Sequence, residues 1–191
     1  MRKVSGILFN NLTLLLMRKF MLGLIVVVFI VACGEQQSAQ DSPAGTIIAD
    51  TVNAPRLVSQ ESDSLVLTAE TGKAEGPAIK YMPEWRAFGW FTSSDSVLWD
   101  VNVSSAGEYD VIMEWSVDDG EAGKEFVLSS GANQLVGKVG KSGSWEVYKT
   151  ENIGTIKLEH GRQTIVFKSA QPFSKDSALL DLRNLKFVKR G

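Results

Sequence analysis

Few side chains in this sequence could carry covalent or metal chemistry, and their spacing limits them further. His160 is the single histidine and Cys33 the single cysteine among 191 residues. Without a second of either, a His/Cys cluster of the kind that encloses zinc cannot be built. His160 lies in "LEHGRQT", a turn position before glycine that does not suit burial beside an acid and a serine, as a nucleophilic triad requires. It reads as a solvated hairpin tip. Carboxylates are plentiful, so residue types alone leave a two-carboxylate glycosidase mechanism open. Asp118 and Asp119 in "SVDDGEAG", with Glu121 behind them, form the sharpest acidic group. Adjacent acids before a glycine read first as a turn and its solvated rim, and the segment lacks the spacing of an EF-hand calcium loop. A phosphate-binding glycine loop and a dinucleotide fingerprint are both missing. These residues point to a non-catalytic protein with no metal site and no cofactor.

The tryptophans carry the stronger signal. Trp99 and Trp115 fall on the inward phase of alternating segments and are expected in the core. Trp85, Trp90 and Trp145 fall in or beside loops, where a flat indole can pack on the apolar face of a sugar ring. The alternative is that they plug the end of a small β fold. "YMPEWRAFGWF", residues 81 to 91, concentrates Tyr81, Trp85, Phe88, Trp90 and Phe91 around Pro83, with no period that sorts the rings onto one face. Trp85 or Trp90 is expected to be offered to a ligand.

The elements that must position these rings are strands. From Tyr109, alternation puts Tyr109, Val111, Met113, Trp115 and Val117 on one face and Asp110, Glu114, Ser116 and Asp118 mostly on the other. "VLWDVNV", 97 to 103, repeats the pattern with Val97, Trp99, Val101 and Val103 inward, and "SSAGE" supplies the turn between them. "EFVLSS", "QLVGKVG", "WEVYKTENIGTIKL", "QTIVFKSA" and "ALLDLRNLKFV" read as further strands, each bounded by turn residues. Short strands with glycine-containing turns and no helical period predict an all-β fold over residues 64–191, a two-sheet antiparallel β-sandwich of the jelly-roll kind.

Upstream the composition changes. Residues 34–63 contain no aromatic residue, are rich in Ser, Gln, Ala and Asp, and read as a flexible tether. Such a chain spans roughly 30 Å on average. Residues 20–32, "FMLGLIVVVFIVA", form an apolar run directly after Arg18 and Lys19. That run is shorter than the about 20 residues a membrane-spanning helix needs and fits a secretory signal peptide. "MRK" occurs at both Met1 and Met17, and a start at Met17 would give a compact signal of ordinary length. Residues 1–33 hold four basic and no acidic residues, which leaves 16 basic against 22 acidic residues in the mature chain, a net charge of −6. An acidic body argues against nucleic acid as partner.

Two resemblances extend this reading. "IVACG" resembles the lipobox of bacterial lipoproteins, which implies that Cys33 is acylated and anchors the mature protein to a membrane. Gly34 in place of aspartate resembles outer-membrane lipoproteins, on the periplasmic or the surface face. "AFGWFTSSDSVLWDVNVSSAGEYDVIMEW" is similar to the centre of carbohydrate-binding modules of families 6 and 35: a G-W segment, a W-x-V-x-V strand, an A-G-x-Y turn and a second alternating strand. "SLVLTAETG" and "ALLDLRNLKFV" resemble their first and last strands. The resemblance implies a galactose-binding-like jelly roll with sugar held at the loop end by aromatics beside the last strand. On this sequence those positions are Trp90 or Trp85, Trp145, and Asp181 where the family has asparagine. The last strand also departs from the family at Arg183, which stands where an aspartate helps hold calcium. Arg183 is therefore expected to replace the cation and to pair with Glu70, tying the first strand to the last. The implied function is glycan binding by an anchored lipoprotein that concentrates polysaccharide for glycan-degrading enzymes. The alternative is an interaction subunit of such an envelope complex that sees no sugar.

Overall fold

The structure, a computed structural model, describes residues 56–191. The signal segment, Cys33 and the tether up to residue 55 lie outside the described residues. Twelve strands follow in chain order. They are β1 (Val58–Ser59), β2 (Ser64–Thr68), β3 (Lys73–Glu75), β4 (Lys80–Met82), β5 (Ala87–Gly89) and β6 (Ser96–Val103). The second half adds β7 (Gly107–Ser116), β8 (Glu125–Ser130), β9 (Asn133–Lys138), β10 (Lys149–Leu158), β11 (Gly161–Ser169) and β12 (Asp181–Lys189). One sheet runs β1-β6-β11-β8-β9 with β3 also on β6, and the other runs β10-β7-β12-β5-β4 with β2 also on β12. Every pairing is antiparallel except β1 with β6. The expected all-β sandwich is the observed architecture.

Alternation accounts for the core. On β6, Val97, Trp99, Val101 and Val103 are fully buried, as are Tyr109, Val111 and, within 1 %, Met113 and Trp115 on β7. Trp99 and Trp115 face each other's sheets across an interior completed by Phe126, Phe167 and Phe187. Burying one such ring contributes about 1.5–3 kcal/mol or more by apolar area. The Trp99 indole N–H is satisfied by the Thr68 carbonyl at 2.8 Å, which also ties β6 to the end of β2.

Three local differences from the periodicity have physical causes. Ser116, placed outward by alternation, is buried because the segment around Trp145 folds over it, and its hydroxyl donates to the Trp145 carbonyl at 2.7 Å. The strand expected from Trp145 begins only at Lys149. The Ser142 hydroxyl there accepts from the Val117 amide and donates to its carbonyl, each at 2.8 Å, and holds the preceding residues as a loop. The folded part also starts before residue 64: β1 pairs with β6, and Gln60 Oε1 accepts from the Ser104 and Ser105 amides and the Tyr109 hydroxyl. A cut at residue 64 would remove these contacts.

Candidate functional site

"YMPEWRAFGWF" is a β-hairpin. Tyr81 pairs with Phe88 and Met82 with Ala87, and Pro83 to Arg86 form its turn. This sorts the rings that periodicity could not. Phe88 and Phe91 point into the core, while Trp85 and Trp90 are 38 % and 57 % exposed. Trp90 sits just beyond β5 with φ of +53°, in the left-handed region that a bulky residue adopts only at a cost of order 1–3 kcal/mol. The neighbouring Phe91 is anchored both by its buried ring and by its carbonyl, which accepts from the Leu179 amide at 2.6 Å. The backbone thus holds the Trp90 ring out toward water.

Around Trp90 the structure brings together three of the residues singled out in the sequence. Trp90, Trp145 and Asp181 line one cleft of about 360 Å³, with Met82 and Ala178 completing its walls. Trp90 comes from the end of the β4–β5 hairpin, Trp145 from the loop before β10, and Asp181 opens β12. Trp145 is braced by Ser116, and its loop is tied further by Asp119 Oδ1 accepting from the Gly143 amide at 3.0 Å. Gly89 packs closely behind two of these lining residues. A Cβ there would lie 2.6 Å from Met82 Cε and 2.8 Å from Asp181 Oδ1. Gly89→Ala is therefore expected to push Asp181 into the cleft and weaken any ligand there by roughly tenfold or more. Titration calorimetry beside a thermal melt would separate that effect from unfolding.

Asp181 is the charged group of the cleft. Burial, and then the nearby Glu146 carboxylate, push its carboxyl from the ordinary 3.8 up to about 7. The native state therefore holds this proton more tightly than the unfolded chain. Its ionisation lowers stability progressively as pH rises from about 4 to about 7, and the loss is complete above that window. Asp181→Asn is expected to melt several degrees above the parent protein at about pH 8, with the gap closing at about pH 4. Thermal melts across that range check the sign.

Trp85 does not join this cleft. It stacks on Tyr148, with ring centroids 6.4 Å apart and planes at 23°. It lines a separate groove on the outer face of the second sheet with Glu70, Arg86, Glu114, Arg183 and Asn184. The expected Glu70–Arg183 pair is not formed. Glu70 lies in the turn after β2 and accepts from Arg86 Nε at 2.6 Å. Burial works against its ionisation, but hydrogen bonding, led by Arg86, outweighs it and holds the carboxyl below its usual range. Arg183 occupies a β-bulge between Leu182 and Asn184, which turns it toward β7. There it donates to Glu114 Oε1 at 2.7 Å and to the Trp85 carbonyl at 3.1 Å, and its guanidinium lies 3.5 Å from the Tyr148 ring centroid. The Arg183 side chain thus ties the last strand to β7 and the hairpin rather than to Glu70.

His160 is exposed in the β10–β11 turn, as read. Asp118 caps its own turn by accepting from the Gly120 amide at 2.8 Å, and Glu121 pairs with Lys124. Among the described residues no cluster of three or more His, Cys, Asp or Glu side chains is arranged to hold a metal ion.

With this geometry in place, comparison with solved structures is decisive for the fold. A family 35 carbohydrate-binding module from Clostridium thermocellum superposes with a TM-score of 0.53 at 18 % identity, covering 64 % of this chain and 97 % of that one. The C-terminal family 6 module of a marine laminarinase from Zobellia galactanivorans gives 0.54 at 16 % identity, covering 66 % and 99 %. The fold is that of family 35 and family 6 carbohydrate-binding modules. An exo-β-1,3-galactanase from Phanerochaete chrysosporium, solved with β-1,3-galactotriose, also matches, at 0.52 and 21 % identity, but this chain spans only 29 % of it. No family model matches the sequence, and no curated protein matches it. Within the module fold, sequence reasoning missed Met82 and Ala178 in the cleft, Gly89 packed behind Met82, and Glu114 as the partner of Arg183. The alternation on β7 marked Glu114 as outward, the one signal that it faced a neighbour on that sheet.

Proposed function

We propose that the protein is a membrane-anchored, non-catalytic glycan-binding lipoprotein that presents polysaccharide to partner enzymes. One observation carries the glycan reading: two tryptophans and a carboxyl group, from three separate segments, converge on one open cleft. Indole faces cover the apolar side of a sugar ring while a carboxyl group accepts from, or when protonated donates to, its hydroxyls. The module fold supports the reading, and so does the backbone strain that keeps Trp90 exposed. The lipobox at Cys33 supports anchoring, and Gly34 supports the outer membrane. Besides Trp90, the exposed large apolar side chains are Trp85 in the hairpin turn, Val66 on β2, Val136 on β9, and Leu57 and Val147 outside strands, which gives a protein-docking reading little to build on.

The test is a glycan array probed with the whole chain in a non-glycosidic detergent, beside Trp90→Ala. Binding that is lost in the variant supports the proposal and names the sugar class. Silence across plant, algal and host glycans would overturn it in favour of an interaction subunit.

A further inference from the structure

The cleft does not end at the tryptophan pair. A second cavity of about 450 Å³ shares Trp90, Trp145 and Ala178 with the first and extends away from Asp181. Its far wall is built rather than incidental. Ala78 and Thr92 line it, and both are positioned by Asp95, which is only 2 % exposed. Asp95 Oδ2 accepts from the Thr92 amide at 2.7 Å and the Thr92 hydroxyl at 2.6 Å, and Oδ1 accepts from the Ala78 amide at 3.2 Å. Gly76 makes room for this arrangement, since a Cβ there would sit 2.0 Å from Asp95 Oδ1. A buried carboxylate is thus committed to fixing the shape of a wall that faces water.

Charge along the two compartments taken together is acidic on balance. Asp118, Glu121 and Asp176 line the second with Lys175, Asp181 lines the first, and Glu146 lies near both Asp118 and Asp181. Glu121 is neutralised by Lys124. Lys80 is the further cation in reach, with Nζ 5.4 Å from the Trp90 ring centroid. An anionic ligand along this path would meet Asp118 and Asp176 at one end and, above about pH 7, an ionised Asp181 with Glu146 nearby at the other.

We infer that the site takes an uncharged glycan chain of two or more residues, laid across the Trp90–Trp145 pair with one sugar beside Asp181 and the next in the compartment walled by Ala78 and Thr92. This rests on the glycan-binding reading and adds the length and charge of the ligand. A single sugar would fill one compartment and forgo the contacts of the other. Uronic or sulphated residues would be repelled, most at low ionic strength, because exposed charges are screened within about 10 Å at 0.1 M salt.

The test is calorimetry on the whole chain in a non-glycosidic detergent. The probes are methyl glycosides and oligomers of two to four residues from the β-1,4-xylose, β-1,4-glucose, β-1,3-glucose and β-1,3-galactose series, with oligogalacturonate as the anionic case. In the series that binds, affinity is expected to rise at least about tenfold between the methyl glycoside and the oligomers. Ala78→Phe, which fills the second compartment, should remove that gain and spare the methyl glycoside. Ser177→Tyr on the opposite wall should do the same, so a folding defect in one variant does not decide the matter. A methyl glycoside that binds as tightly as its oligomers, still lost in Trp90→Ala, would overturn the inference and leave glycan binding standing. Oligogalacturonate that binds as well as the neutral oligomers at low salt would overturn the charge assignment. Binding of no sugar, or binding that ignores Trp90→Ala in every series, would bring down both readings.

Discussion

Trp90→Ala is expected to cost at least about 2 kcal/mol of glycan affinity, roughly thirtyfold, while the fold survives. The two halves of this expectation have separate causes. The ring is more than half exposed and contributes little to the interior, so its removal spares the core that Phe88 and Phe91 fill on either side. Yet it forms a wall of both compartments, so its loss opens the whole cleft to water. The strained φ adds a diagnostic. Alanine keeps a Cβ in the left-handed region, whereas glycine adopts it freely. Trp90→Gly should therefore lose binding as fully as Trp90→Ala and melt at a higher temperature than that variant. Equal melting of the two would mean that the strain is not stored at this residue. Calorimetry and thermal melts on the three proteins make the comparison.

Arg183→Ala is expected to have the largest effect on stability, about 2 kcal/mol, or a fall in Tm of roughly 6–10 °C. Removing the guanidinium leaves Glu114, three-quarters shielded from water, with only the Asn184 amide as a donor. It also strips the cation from the Tyr148 ring. Partial exposure of the pair, 30 % and 25 %, keeps the cost below that of a fully buried ion pair. A double-mutant cycle gives the sharper readout. Arg183 and Glu114 should couple, and Arg183 and Glu70 should not, because Glu70 is held by Arg86. Coupling to Glu70 instead would restore the expected Glu70–Arg183 pair. EDTA is expected to leave the melting temperature unchanged, since these contacts need no cation.

The contrast between these two arginines shows where sequence reading stops. The expected Arg183–Glu70 pair rests on the family resemblance, in which Arg183 stands where an aspartate helps hold calcium, and β2 does lie beside β12. The bulge at Arg183 shifts the register by one residue and redirects the side chain to β7. The alternation pattern of "ALLDLRNLKFV" does not announce a bulge. Arg86 had no assigned role, because its reach to Glu70 depends on a hairpin turn in which its own φ is +51°. Trp85 and Trp90 were equivalent as loop tryptophans. The hairpin register separates them, one onto the outer sheet face and the other into the cleft.

By itself the sequence determined the long strands β6, β7, β8, β11 and β12 with most of their inward faces, and through them a two-sheet sandwich with Trp99 and Trp115 in its core. It could do so because each depends on neighbours two residues away or on a single glycine, and a local period survives any tertiary arrangement. Only the tertiary structure decided that Trp90, Trp145 and Asp181 share one cleft, that Asp95 shapes a second compartment beside it, and that Arg183 answers to Glu114. Those contacts join segments distant in the chain through loop closure and bulge geometry. A side chain's type says what it can bind, but only the packing of the segments that carry it says what it will meet.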